Sequence, residues 1–292
     1  MLVIPTTVQG ESTHRVWSST GLGATTELVD NRPARRRCLL RVGFCVVVTR
    51  QILATSGGFL PAAGRHNARV PGRTVLEALR RSGKDRPRVL LVMTASGDND
   101  AYLAMSYQAL SSSSCDVDHL SLFTMPNQSV EQAVGRADVI WVGGGSVANL
   151  LACWRLHEVD VAMRAAWERG AVLAGVSAGS ICWHTSGTTD SYGPELRAIN
   201  DGLGLLPWGN GVHYDSEAQR RPLLHRLVGD GTLPTTYCTD DRVGIRYEGI
   251  EPVEVITDLD VDPLTGPAAY RVELVAGELR ETRLAPGPIT GA

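Results

Sequence analysis

The stretch "AVLAGVSAGSICW", residues 171–183, is an apolar run that ends in two glycines on either side of Ser177. The apolar part predicts a buried strand, and Ala178 then opens a helix. The glycines fit the pattern G-x-S-x-G, in which a strained strand-to-helix turn lifts the serine hydroxyl clear of the sheet. The free N–H of Ala178 would point to where an oxyanion forms, so Ser177 is a candidate nucleophile.

A second glycine-rich strand end lies upstream, in "DVIWVGGGS", residues 138–146. Without Cβ atoms, this chain can turn tightly and bring backbone N–H groups close to a ligand. Because ligands of open α/β sheets bind beyond the carboxyl ends of the strands, Gly144 and Gly145 are expected beside Ser177 as further oxyanion donors.

Strands and helices alternate through the middle of the sequence. A first short strand is predicted from residue 50 and runs into a turn at the glycines 57–58, and further strands are predicted over 88–96, 117–123 and 138–146. Helices are predicted over 98–113, 129–137 and 147–170. This alternation predicts an α/β fold, a mostly parallel sheet flanked by helices on both faces. The segments 243–257 and 268–284 alternate like antiparallel strands near the C-terminus, and we expect them to close the edge of the sheet.

The first 49 residues lack any sustained helical or strand period, which predicts a disordered tail or a mis-assigned start. An ordered appendage is one alternative. A targeting signal is another, since three arginines at 35–37 precede the apolar patch 42–48. Residues 50–292 are predicted to form a single α/β domain.

The composition of the chain gives no support to several classes of function. The chain has 292 residues, a formal net charge of −3 and six scattered cysteines without zinc-ligand spacing. Nothing here favours nucleic acid or membrane as a partner, and no apolar run is long enough to span a bilayer. We expect a cytoplasmic protein without metal or organic cofactor, and a homodimer stays open.

A serine nucleophile needs a base, normally a histidine oriented by a carboxylate. His213, in "GNGVHYDSE", follows a short apolar segment as a strand-end histidine would. The other six lie in the tail, an early loop, a strand or helical stretches, and His184 is expected on the helix leading away from the turn: His14, His66, His119, His157, His184 and His225. Asp240 and Asp241 are the candidate acids, because they sit between an apolar stretch and a strand.

Three stretches of the sequence together resemble peptidase family S51, which includes aspartyl dipeptidase and cyanophycinase. These stretches are "IWVGGGSVANLL", "RGAVLAGVSAGSICW" and "GVHYDSEAQRR". The resemblance covers roughly residues 50–250. It implies a fold like that of the class I glutamine amidotransferases, with Ser177 as nucleophile, His213 as base and Asp241 as the aligned acid. The sequence leaves open whether Asp240 takes that role instead.

The sequence also departs from the family pattern. "GGGS" replaces "GGGN", and an aspartate stands where aspartyl dipeptidase has a glutamate acid. Glu217 aligns with an arginine that could pair with a substrate aspartate, so a preference for N-terminal aspartate is doubtful. Arg220 and Arg221 could substitute, although solvated helix charges are the expected reading. Substrate contacts are expected from four residues: Asp190, Tyr214, Glu217 and Arg220.

The resemblance implies a serine peptidase that hydrolyses short peptides through an acyl-enzyme. An esterase or thioesterase with the same nucleophile turn is an alternative. A small-molecule binding protein with an incomplete triad is another. These readings are distinguished by whether the serine, the histidine and a carboxylate converge, and by which substrates are turned over.

Overall fold

A computed structural model describes residues 49–289. The strands are β1 (Gln51–Thr55), β2 (Phe59–Pro61), β3 (Arg69–Pro71), β4 (Arg88–Val92), β5 (Asp116–Leu120), β6 (Val139–Val142), β7 (Val172–Val176), β8 (His184–Thr189), β9 (Arg197–Ile199), β10 (Leu206–Gly211), β11 (Thr236–Thr239), β12 (Val243–Glu248), β13 (Glu251–Thr257), β14 (Ala269–Val275), β15 (Glu278–Leu284) and β16 (Gly287–Pro288). The helices are α1 (Arg73–Arg81), α2 (Asp100–Leu110), α3 (Val130–Arg136), α4 (Val147–Leu156), α5 (Val159–Arg169), α6 (Ala178–Ile181) and α7 (Arg220–Gly229), with a 3₁₀ turn at Thr94–Ser96.

The main sheet has eight strands in the order β16-β13-β12-β1-β7-β6-β4-β5. Its strands β1, β7, β6, β4 and β5 run parallel to one another, as the alternating pattern predicted. The strands β12, β13 and β16 extend the β1 edge with antiparallel pairing. The expected α/β class, with antiparallel strands near the C-terminus, is therefore confirmed.

Helices cover both faces of the main sheet, and its central strands are buried along almost their whole length. Successive residues of one strand enter different cores: Leu90 packs in the core on one face and Leu91 in the core on the other. Residues of α3, α4 and α5 belong to the first core, and residues of α1 and α2 to the second. This double burial explains why these strands show no polar alternation.

The helix ends are capped by polar side chains and by glycine. The Ser129 side chain caps α3 by accepting from the Gln132 N–H at 3.3 Å, and Asn99 caps α2 in the same way. Gly170 ends α5 with φ 98°, a left-handed conformation that glycine adopts without a steric penalty.

In residues 49–289 there is no helix with the length and apolarity that a membrane span requires.

A second sheet, absent from the prediction, has six strands in the order β15-β14-β11-β10-β8-β9. The hairpin β14–β15 belongs to this sheet, so the expectation that residues 268–284 close the edge of the main sheet was wrong. Only the segment 243–257 closes that edge, as β12 and β13. Alternation predicts a half-buried antiparallel strand but carries no information on which sheet it joins.

The expectation that His184 lies on a helix was also wrong. The helix α6 is only one turn long, and His184 is the first residue of β8, with no solvent exposure. Its Nδ1 lies 2.9 Å from the carbonyl oxygen of Ser180, and burial lowers its pKa to about 4. The prediction for residues 1–49 falls, apart from the last of them, outside the described residues and stays a prediction.

Candidate active site

The turn at Ser177 links β7 to α6 and is held by its two glycines. Ser177 has φ 56° and ψ −113°, a backbone conformation that non-glycine residues rarely adopt. A Cβ on Gly175 would collide with the carbonyl oxygen of Gly179, and one on Gly179 with that of Val142. Both flanking positions therefore require glycine, because the helix packs directly against the neighbouring strand ends.

The glycines after β6 lie against this turn. A Cβ on Gly144 would lie 3.2 Å from the Cβ of Ser177, and Gly145 has φ 138°. The Gly144 N–H faces the Tyr102 hydroxyl at 3.4 Å, a long contact. As the first residue of α6, Ala178 has an N–H without an intrahelical acceptor. The backbone at Gly144 therefore lies against the Ser177 side chain, while the Gly144 N–H is directed at Tyr102.

His213 follows β10 in a left-handed conformation, with φ 53°. Its backbone N–H donates to the Ser56 hydroxyl at 3.0 Å, and its Nδ1 lies 2.6 Å from Asp241 Oδ1. A neutral imidazole that donates from Nδ1 keeps its lone pair on Nε2, as a general base requires. The imidazole is 26% exposed and the Asp241 carboxylate 44% exposed, so both are open to a substrate.

The two adjacent aspartates point to different partners. Asp241 meets His213, and its own N–H donates to Asp215 Oδ1 at 2.8 Å. Asp240 is buried, and its Oδ2 accepts from the N–H of Ala268, the residue before β14, at 2.9 Å. Burial raises the pKa of the Asp240 carboxyl. Of the two, only Asp241 is in contact with the imidazole.

Ser177 and His213 line one cavity of about 410 Å³, here called the serine cavity. Gly145, Ala178 and Asp190 are also part of its wall. No hydrogen bond joins the Ser177 hydroxyl to His213 within residues 49–289. Such catalytic hydrogen bonds are often long without substrate and tighten in the substrate complex.

Glu217 and Arg220 also line the serine cavity and form an ion pair. The Arg220 side chain is only 2% exposed, so the expectation of a solvated helix charge was wrong for this residue. Its guanidinium also donates to Thr188 Oγ1 at 3.0 Å, and burial lowers its pKa. Arg221 instead lies over the rings of Tyr214 and Tyr270 and pairs with Glu281 at 3.2 Å.

Tyr214 does not face the serine cavity, contrary to its expected substrate contact. Its hydroxyl donates to Glu281 Oε2 at 2.6 Å, and its ring is buried among apolar residues of α7 and the second sheet. Asp190 and Glu217, by contrast, lie on the cavity wall as expected.

Ser56 and Asp215 support the site in ways that sequence reasoning missed. The Ser56 hydroxyl bonds Thr239 Oγ1 at 2.7 Å while accepting from the His213 N–H, and so ties the ends of β1 and β11 to the histidine. Asp215 holds the backbone of Asp241. The only sequence signal for Ser56 was its place at the end of the first strand.

Comparison with known proteins agrees with this fold. Residues 53–254 match the sequence profile of Peptidase family S51. The chain is 37% identical to the uncharacterized peptidase YgaJ of Bacillus subtilis (strain 168) over 206 residues, 70% of this chain and 86% of that protein. It is 31% identical to Peptidase E of Shewanella denitrificans over 145 residues, 47% of this chain and 60% of that protein.

A crystal structure of a peptidase from an acI-B1 Actinobacterium has the same fold, with a TM-score of 0.59 and 14% identity over 82% of this chain and 96% of that one. The match to the family profile spans well over half of the chain, and the identity to the Bacillus relative is substantial. The chain therefore belongs to peptidase family S51, a hydrolase of the peptidase class.

Proposed function

We propose that this protein is a serine peptidase that hydrolyses short peptides through an acyl-enzyme. The observation that carries the proposal is the contact between His213 Nδ1 and Asp241 Oδ1, 2.6 Å, beside a cavity that His213 shares with Ser177. A serine on a strained turn, a histidine with a free Nε2 and an orienting carboxylate are the parts that acyl transfer to water needs.

In the first step His213 Nε2 takes the proton of the Ser177 hydroxyl as the oxygen attacks the carbonyl carbon of the scissile peptide bond. The carbonyl oxygen becomes an oxyanion, stabilised by the N–H groups of Ala178 and of Gly144 or Gly145. The C–N bond then breaks, and the leaving amine takes the proton from His213. What remains is an ester between Ser177 and the acyl part of the substrate.

In the second half, water attacks the ester carbonyl and gives one proton to His213 Nε2. The second tetrahedral intermediate collapses, and His213 returns the proton to the Ser177 oxygen. Asp241 accepts from Nδ1–H throughout, so it keeps the imidazole in one tautomer and stabilises its protonated form. The step needs no group beyond these side chains and water.

The charge of the serine cavity argues against a preference for N-terminal aspartate. Its wall carries the carboxylates of Asp190 and Glu217, and the one arginine, Arg220, is already paired with Glu217. An acidic substrate side chain would meet Asp190 without a free cation to balance it. Neutral N-terminal residues with a free amino group are the substrates we expect.

The test is amine release from a dipeptide panel varied at the first residue, with Ser177→Ala beside the wild type. Loss of the nucleophile should lower kcat by about 10⁴-fold or more without unfolding the protein. Ser216→Ala is the matched control, because it removes an exposed serine hydroxyl from the His213 loop.

A fluorophosphonate probe supplies a second readout, since it labels an activated serine covalently. The expected result is a mass increase confined to the peptide that contains Ser177 and absent from Ser177→Ala. Full activity in Ser177→Ala would end the proposal. Turnover of short acyl esters alone would favour an esterase, and binding without any turnover would favour a small-molecule binding protein.

A further inference from the structure

A second cavity, also of about 410 Å³, lies on the other side of His213. His213 is the one residue that lines both cavities. This second space, here called the arginine cavity, has Arg69 and Arg242 in its wall, together with the ring of Trp141 beside that of Phe59. It also reaches Val176, the residue immediately before the nucleophile. The two cavities thus meet at His213, next to the turn that carries Ser177.

The chemistry of acyl transfer assigns one half of a peptide to each cavity. The acyl half becomes bonded to Ser177, so it must occupy the serine cavity, which holds the hydroxyl and the N–H donors. The leaving amine must receive its proton from His213. The residue that carries this amine therefore lies against His213. The acyl half fills the serine cavity, so the space beside His213 that remains for this residue is the arginine cavity.

The charges of the two cavities differ in sign. The serine cavity has the carboxylates of Asp190 and Glu217 against the single Arg220. The arginine cavity has Arg69 and Arg242 against the single Asp241, which already contacts His213. Within residues 49–289, neither of these two arginines forms a salt bridge. A short peptide, with an amine at one end and a carboxylate at the other, is complementary to this arrangement in one orientation.

The apolar part of the arginine cavity suits a large side chain. The Phe59 and Trp141 rings have centroids 5.5 Å apart, and Met105 adds a flexible apolar side chain to the same wall. Phe59 belongs to the β2–β3 hairpin, which also carries Arg69. One hairpin therefore supplies both an aromatic surface and a cation to the same space.

We propose that the arginine cavity is the leaving-residue subsite, which binds a C-terminal residue by its free carboxylate and its apolar side chain. This inference rests on the proposed serine peptidase function. It assigns recognition of the carboxylate to Arg69 and Arg242, and of the side chain to Phe59 and Trp141. The preferred substrates are then dipeptides that end in a large apolar residue.

The experiment measures kcat/KM for Xaa-Phe, Xaa-Phe amide and Xaa-Gly, where Xaa is the N-terminal residue cleaved fastest. The wild type should prefer the free acid over the amide by about 10- to 100-fold, the range of a charge-assisted hydrogen bond. In the double variant Arg69→Gln/Arg242→Gln this ratio should fall to about one, because kcat/KM for the free acid falls more than kcat/KM for the amide. Phe59→Ala should lower the preference for Xaa-Phe over Xaa-Gly by about 10-fold.

Arg65→Gln is the matched control, because Arg65 is exposed on the same hairpin and does not line the cavity. It should leave both ratios unchanged, and thermal unfolding of each variant checks that the hairpin is intact. Peptide turnover with an acid-to-amide ratio near one in the wild type would overturn the subsite assignment and leave the serine peptidase proposal standing. Absence of turnover with every peptide would overturn both.

Discussion

The turn at Ser177, here called the nucleophile turn after the proposed role of this serine, and the loops that carry His213 and Asp241 are built in different ways. Ser177 is held by close backbone packing, because a Cβ on Gly175 would collide with the Gly179 carbonyl and one on Gly179 with the Val142 carbonyl. His213 and Asp241 are held by hydrogen bonds from distant elements, to Ser56 and Asp215. The first region depends on steric contacts of the backbone, and the second depends on polar contacts between chain segments.

The largest difference in kcat is expected between variants of two adjacent carboxylates in the second region, Asp241 and Asp240. Asp241→Asn should lower kcat by about 10³- to 10⁴-fold, because an amide that donates to Nδ1 favours the wrong imidazole tautomer. Asp240→Asn should change kcat by no more than about fivefold, since this buried carboxyl bonds Ala268 and not the imidazole. Steady-state kinetics of both variants checks this. Equal losses would mean that the contact of Asp241 with His213 has no special role.

In the nucleophile turn the corresponding test is steric. Gly179→Ala should lower the free energy of unfolding by about 2–3 kcal/mol and abolish peptide turnover, because the new methyl collides with the Val142 carbonyl. Gly135→Ala in α3 is the matched control, since its added methyl meets open space; it should be neutral or stabilise by up to about 1 kcal/mol. Urea unfolding measures both. An unaltered stability of Gly179→Ala would show that the turn is not held by packing.

The nucleophile turn should also depend on pH through His184, which lies against the Ser180 carbonyl of α6. In the unfolded chain this imidazole titrates near pH 6.5, whereas burial keeps it neutral in the folded protein down to about pH 4. The unfolded state therefore binds more protons between these values, and stability falls as the pH drops from about 6.5 to about 4.

The stability lost over this range through His184 alone is roughly 3 kcal/mol, from the difference between the two pKa values. His184→Gln should remove this part of the acid sensitivity, although it also loses stability at pH 7.5. Urea unfolding of the wild type and the variant at pH 7.5 and at pH 5 measures how much free energy of unfolding each protein loses between the two pH values. Parallel losses in the two proteins would contradict a neutral buried His184.

The smallest effect on kcat is expected at Ser56, whose hydroxyl accepts a hydrogen bond from the backbone N–H of His213. Ser56→Ala leaves the His213 N–H without its acceptor, at a cost of about 1 kcal/mol, or roughly fivefold in kcat. KM should change little, because Ser56 positions the base and does not take part in the reaction itself. A change in KM with kcat unaltered would instead place Ser56 in substrate binding.

This contrast also explains which parts of the protein were predictable. The elements β1, β4, β6 and β7 with their covering helices followed from apolar runs, glycines and capping residues, which are local signals. The sheet that β14 and β15 join was missed, because the same alternation suits either sheet. Likewise, nothing near Arg220 in sequence indicated that it would be buried against Thr188.

The sequence by itself indicated the turn at Ser177, because the glycines that its close backbone packing requires stand two positions before and two positions after the serine. It also indicated His213 and narrowed the acid to two neighbours. Only the tertiary structure decided that Asp241 meets the imidazole, that Tyr214 turns away and that His213 separates two cavities of opposite charge. These outcomes depend on where distant strands end relative to one another, and that relation exists only once the two sheets have packed.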